Sequence, residues 1–208
     1  MTVDLDTQVR AADPDRWLSS RFVTDVQARA DLIALYAFEA ELLAIPTRVT
    51  QPMLAEMRYT WWAEQMEGVF AHTPRIGHPV LEAMTTAVAR HGLDRAPFDA
   101  LIEAHIGRVH GEQHDLDAFY VGPMQVAARV LAGEGHDATV AEAGRLWALS
   151  QVGRADEARA LGPAANLALR SLPATAFPAI AHAALAGFDH PEPVKRLRLL
   201  WAVLRGRI

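Results

Sequence analysis

The chain contains no cysteine, so disulfides and thiolate metal sites are excluded and the composition reveals no redox compartment. It has no uninterrupted apolar run approaching the roughly 18 residues that would suggest a membrane-spanning helix. Basic residues are in the minority: 20 lysines and arginines against 25 acids give a formal charge of -5. That balance disfavours nucleic acid as a partner, because its phosphates call for a basic footprint. Runs of β-branched residues are missing, and with them the main signal for strands. No glycine-rich phosphate loop, serine nucleophile elbow or Cys-His pair occurs, which leaves hydrolase and nucleotide readings without support. No fixed-period repeat points to a solenoid. The opening Met-Thr-Val-Asp-Leu-Asp is acidic and lacks an apolar core, unlike a secretory or transit signal, so the expected location is the cytoplasm.

What remains is a chain of 208 residues, 51% apolar and 22% charged, ordinary for one globular domain with a substantial core. A single domain over 1–208 is expected, with residues 1–12 flexible. Alanine and leucine dominate and apolar residues recur at spacings of three and four, which predicts an all-α fold. Asp13-Pro14 starts a helix over 14–22, and Pro46 ends a second over 25–45. Pro52 opens a third that reaches residue 70. Further helices are expected over 80–91, closed by Gly92 as a left-handed cap, and over 96–109, 122–133 and 138–152. The polar stretch 111–117 is a loop or a continuation. Gly153, Gly162-Pro163 and Pro173 divide the remainder into short helices before a terminal one that begins at Pro191 or Pro193.

Residues 32–45, Leu-Ile-Ala-Leu-Tyr-Ala-Phe-Glu-Ala-Glu-Leu-Leu-Ala-Ile, are apolar all the way round, which places this helix inside a bundle. A carboxylate there is costly unless paired or protonated. Glu39 and Glu41 are therefore either parts of a working site or members of an internal ion pair with an arginine such as Arg58, with Glu41–Arg58 the expected pairing.

Several short stretches, in this order and at this spacing, resemble the squalene/phytoene synthase family. Asp13-Pro14-Asp15-Arg16-Trp17 looks like its opening, Tyr36-Ala37-Phe38 like its first signature helix, and Arg58-Tyr59-Thr60-Trp61-Trp62 like its Arg-containing tryptophan helix. His78-Pro79-Val80 and the run from Ala96-Pro97-Phe98 to Ala104 resemble the next two helix openings, and Leu197-Arg198-Leu199-Leu200-Trp201-Ala202 its end. Within the family the chain resembles the divergent branch that includes the respiratory complex I assembly factor of mitochondria and its bacterial relatives, where Tyr-Ala-Phe is likewise followed by a Glu-Leu step. The resemblance implies an all-α prenyl-synthase-like helical bundle, shortened here in its second half. Its central cavity would be lined by Tyr36, Phe38, Glu39, Glu41, Arg58, Trp61 and Trp62.

Synthases of this family join two allylic diphosphates, and ionising a diphosphate requires magnesium ions held by oxygen ligands. Aspartate clusters supply those ligands. At the first cluster this sequence has Leu43 and Ala44. The region 151–163, where the second belongs, offers only Asp156-Glu157, adjacent residues that point about 100° apart on a helix and cannot face one metal together. The preferred expectation is a non-catalytic member, without cofactor or metal, that binds a protein, lipid or isoprenoid partner, with a role in respiratory-complex assembly as its branch implies. The alternative is a prenyl transferase that uses magnesium through altered ligands.

Three other features stay open at this level. Trp61 and Trp62 are either core or an aromatic wall for an isoprenoid tail. His105, His110, Glu112, His114, Asp115 and Asp117 are the densest group of metal-capable residues. His110 and His114 stand four apart, but Gly111 weakens the helix their geometry would need, so a solvated polar turn is expected. In residues 194–208, Lys195, Arg196, Arg198, Arg205 and Arg207 occur with no acid, among Leu197, Leu200, Trp201 and Leu204. This is a basic amphipathic helix, suited to a partner or to peripheral contact with the inner face of a membrane, or equally a last core helix whose arginines favour the negative end of its dipole.

Overall fold

Three aspartates begin the first three helices in the computed structural model, which describes residues 4–208. The Asp4 carboxylate accepts from the Asp6 amide at the head of α1 (Leu5–Ala12), and Asp13 accepts from the Arg16 amide at the head of α2 (Pro14–Ser20). Asp25 accepts from the amides of Gln27 and Ala28 ahead of α3 (Val26–Arg48). Residues 5–12 were expected to be flexible. They form α1 instead, because the Asp4 cap starts the helix and its packing on α3 buries Val9 completely. Residues 1–3 of the stretch expected to be flexible lie outside the described residues.

Helix α3 is the axis of the molecule, buried on every side from Asp31 to Ala40, and α1, α2, α4, α5 and α7 pack around it. It continues past Pro46, where a stop was expected, into one further turn. A proline at 46 withholds the amide that would bond the Leu42 carbonyl, and the Tyr59 hydroxyl donates to that carbonyl at 3.3 Å. The vacancy is filled from the next helix, so the proline need not end this one.

Prolines open α4 (Pro52–Phe70), α5 (Pro79–His91) and α6 (Ala96–Val109), and Gly92 closes α5 with φ 58°, a left-handed cap that suits a residue without Cβ. Buried Asp31 accepts from Arg90 and, at 2.8 Å, pairs with His91, fastening the end of α5 to α3. The polar stretch after α6 is a loop, followed by a π-helical turn at Asp117–Val121 that runs into α7 (Gly122–Ala132). Helix α8 (Asp137–Gln151) crosses this turn so closely that a Cβ on Gly144 would lie 3.0 Å from the Val121 Cα.

One helix, α9 (Ala155–Ala168), runs through Gly162-Pro163 where two short ones were expected; Arg159 and Pro163 are exposed, so the carbonyl left without its donor faces solvent. A buried run of 3-10 turns from Phe177 to Leu185 then fills the space between α2, α7 and α8. The terminal helix α10 (Glu192–Arg205) covers that run from outside. Among the described residues there are ten α-helices, no strand, and no helix long and apolar enough to cross a membrane.

Candidate functional site

Two hollows border α3. The inner one is a cavity of about 260 Å³, small beside the roughly 300–1,000 Å³ usual for small-molecule sites. Its charged end is formed by Asp13 and Arg16 of α2 and Glu39 of α3. Phe119 and Tyr120 of the π-helical turn, Trp147 of α8 and Met124 of α7 form its apolar wall, and His105, His114 and His182 complete it. Leu43, 51% exposed, stands at the rim.

The charges are arranged around Arg16. Its Nη1 donates to Glu39 Oε2 at 2.5 Å, its Nε donates to Asp13 Oδ2 at 2.6 Å, and the guanidinium lies over the Tyr36 ring, 4.7 Å from the centroid. Burial pushes the Glu39 carboxyl above its ordinary range, with Arg16 opposing it. Burial also acts against ionised Asp13, but the Arg16 charge, the Arg16 amide and the guanidinium hydrogen bond together outweigh it and hold that carboxyl low. The difference follows from the partners, since Asp13 also accepts from the Arg16 amide at 2.9 Å while Glu39 has no such bond and meets the negative charge of Asp13. Arg16 itself is held protonated against its burial by the two carboxylates.

The histidines are neutral. Burial drops His182 to about 3, helped by the nearby Arg16 charge, and drops His105 to about 4. His105 stacks on Tyr59 with centroids 5.0 Å apart and meets the edge of Phe119, and His182 sits edge-on to Trp147. Both ring nitrogens of His182, Nε2 of His114 and the Tyr36 hydroxyl are buried without a protein hydrogen-bond partner among the described residues. A buried polar atom left unpaired costs about 1–3 kcal/mol, so this wall is suited to something that can hydrogen-bond with it, water included.

The outer hollow, about 550 Å³, lies between the end of α3 and α4 and is lined by Glu41, Arg48, Arg58, Trp61, Trp62 and His78, with Leu54 and Met57. The seven residues expected to line one cavity are therefore divided. Glu39 faces the inner cavity, Tyr36 lies beneath Arg16, and Phe38 packs in the core against Trp62 at 5.5 Å; the other four line the outer groove. Trp62 is buried while Trp61 is partly exposed, so the pair spans core and groove.

The expected Glu41–Arg58 pairing is corrected. Glu41 accepts from Gln8 Nε2 at 2.6 Å and pairs with Arg48 at 3.3 Å. Arg58 faces solvent because α4 turns Ala55, Tyr59, Trp62 and Met66 inward, and position 58 falls off that stripe. The histidine group is also dispersed: α6 ends before His110, which pairs with Glu56 at 3.2 Å outside, while His105 and His114 face the cavity. Asp115 caps the π-helical turn through the Ala118 amide.

A model of the squalene/phytoene synthase family matches residues 9–121, just over half of the chain. The chain belongs to the squalene/phytoene synthase family. No curated protein and no solved structure is significantly similar to it. The match runs from α1 through the π-helical turn, taking in Asp13, Arg16, Glu39, Trp61, Trp62 and, of the apolar wall, Phe119 and Tyr120, while Met124, Trp147 and His182 lie beyond it.

The residues present do not fit the magnesium and diphosphate site of the family's synthases. Both carboxylates at the inner cavity are committed to Arg16, and the expected aspartate position at its rim is Leu43. On α9, Asp156 pairs with Arg159 at 2.6 Å and Glu157 with Arg154 at 2.5 Å, both on the exposed side of that helix. Among the described residues no three His, Asp or Glu side chains stand close enough to hold an ion.

Sequence reasoning took Asp13 for a helix start and Asp13 and Arg16 for part of the family's opening without giving either a place in the site, and it passed over Trp147 and His182. The available signal was His182 itself, one titratable side chain in the otherwise apolar run 176–186.

Proposed function

We propose that this squalene/phytoene synthase family member is a non-catalytic binding protein whose inner cavity takes the polar head of an uncharged prenyl lipid. The observation that carries this reading is the closed Asp13–Arg16–Glu39 group, which leaves no carboxylate free for a metal and no cation free for a diphosphate. With the histidines neutral, a single arginine faces two carboxyl groups, so no surplus positive charge is there to attract a diphosphate. An uncharged head with donors and acceptors meets His182 and His114, and an isoprenoid chain suits the aromatic wall. A role in respiratory-complex assembly, implied by the resemblance around Tyr36-Ala37-Phe38 and Glu41-Leu42, would use this scaffold to hold a lipid or protein partner without turning it over.

Calorimetry tests the reading. Farnesyl or geranylgeranyl diphosphate is expected to bind weakly and to the same extent with and without magnesium. Tight diphosphate binding that disappears on chelation would refute it and favour a prenyl transferase with altered metal ligands. Mass spectrometry of lipid extracted from the purified native protein identifies the occupant.

A further inference from the structure

Helix α10 has two apolar faces. One, with Leu199 and Ala202, is buried against the 3-10 run and α2. The opposite one carries Leu197, Leu200, Trp201 and Leu204, spaced three and four apart, and Leu197, Trp201 and Leu204 are 60%, 57% and 71% exposed. An ordinary surface helix has polar residues there.

The basic residues divide in the same way. Lys195 turns inward to Asp15 at 2.8 Å, and Arg198 donates to the Ala184 carbonyl and covers the Phe188 ring. Arg196 pairs with Glu192 at the flank. Arg205 lies over the Trp201 ring, 4.5 Å from the centroid, and Arg207 lies beside Arg170 and exposed Leu167 at the end of α9. Neither Arg205 nor Arg207 meets a carboxylate among the described residues, so both charges remain available, that of Arg205 on the exposed stripe and that of Arg207 at the adjoining end of α9.

We propose that the outer face of α10 lies in the interface of an anionic lipid membrane, with Leu197, Trp201 and Leu204 immersed and Arg205 and Arg207 at the phosphates. Charge complementarity selects this occupant: the free charges at this face are cationic on a chain whose formal charge is -5. A second copy docked here about a two-fold axis would bring two arginine-rich rims together without acids to match them. The inference does not depend on what occupies the inner cavity.

The test is flotation of the full chain with vesicles of phosphatidylcholine alone and of phosphatidylcholine mixed with phosphatidylglycerol. Binding to the mixed vesicles only, weakened by salt, is expected. Leu197→Gln with Leu204→Gln should abolish it, and Arg205→Gln or Arg207→Gln should each lower the partition coefficient about fivefold. All four side chains are exposed, so circular dichroism and the urea midpoint should stay at their starting values, which separates lost docking from lost folding. Equal binding to both vesicle types, binding to neither, or binding indifferent to the leucine changes would overturn the proposal. So would concentration-dependent self-association that the leucine changes abolish while vesicles leave the protein in solution.

Discussion

Arg16 is the side chain on which the inner cavity most depends electrostatically, and Arg16→Met tests that directly. The substitution keeps an unbranched apolar stem over Tyr36 but removes the cation that bonds both Asp13 and Glu39. Breaking a buried ion pair from one side costs about 3–5 kcal/mol, because the partner is left charged and desolvated. Glu39 bears most of that cost, as Asp13 is the more exposed of the two acids. The reverse change, Glu39→Gln, should cost less, about 2 kcal/mol, since Arg16 keeps Asp13 as a partner. The double variant should then be more stable than the sum of the two losses predicts, by about 2 kcal/mol. Urea unfolding measures all three, provided the transitions are two-state.

The same variants carry a pH signature. Without Arg16, burial and the neighbouring Asp13 charge act on Glu39 unopposed and raise its folded pKa further above the unfolded value. An acid shifted upward favours the folded state below its unfolded pKa and loses that contribution as pH rises through the folded pKa. The deficit of Arg16→Met relative to the parent should therefore be greatest near neutrality and shrink on acidification. Additive losses in the cycle, or a deficit independent of pH, would refute the claim that Glu39 is a buried, ionised partner of Arg16.

His182 and His105, held at about 3 and about 4, should make the whole fold sensitive to acid. A histidine shifted downward contributes stability that is complete above the unfolded value and lost as pH falls below it, at about 2 kcal/mol per group by about pH 5. His182→Leu, which breaks no protein hydrogen bond, should roughly halve that slope in urea midpoints taken between about pH 7 and pH 5, and an unchanged slope would count against the assignment. At Gly144 an added methyl meets the Val121 Cα, part of a backbone that cannot rotate away, so Gly144→Ala should destabilise by about 1–3 kcal/mol although alanine is the better helix former. Equal or greater thermal stability of that variant would mean that α8 can move off the π-helical turn.

Helix starts were legible because aspartates and prolines announce them chemically, and α2, α4, α5 and α6 begin at the expected prolines or one residue away. Helix ends were less so. The continuation through Pro46 depends on the Tyr59 hydroxyl reaching the Leu42 carbonyl, a contact between two helices that no local pattern contains. The partner of Glu39 was hidden for the same reason, as Arg16 lies 23 residues away on another helix. The exclusion of Arg58, by contrast, could have been read. Ala55, Tyr59, Trp62, Met66 and Val69 make one inward stripe on α4, and a residue immediately before Tyr59 lies about 100° away from it.

The terminal helix marks the other limit. Its periodicity identifies Leu197, Leu199, Leu200, Trp201 and Leu204 as apolar, but a count of apolar residues is the same for a helix buried on one face and for one buried on two. The structure separates them by where the cations go. Lys195 and Arg198, indistinguishable in sequence from Arg205, are spent on Asp15 and on the Ala184 carbonyl, which fixes the inward side at Leu199 and Ala202. The opposite stripe is then left apolar with no protein against it among the described residues, and the surplus of basic residues that looked like a property of the whole helix is carried on the outside by Arg205 and Arg207. A binding surface is specified here by the difference between charges that fold the chain and charges that remain when it has folded.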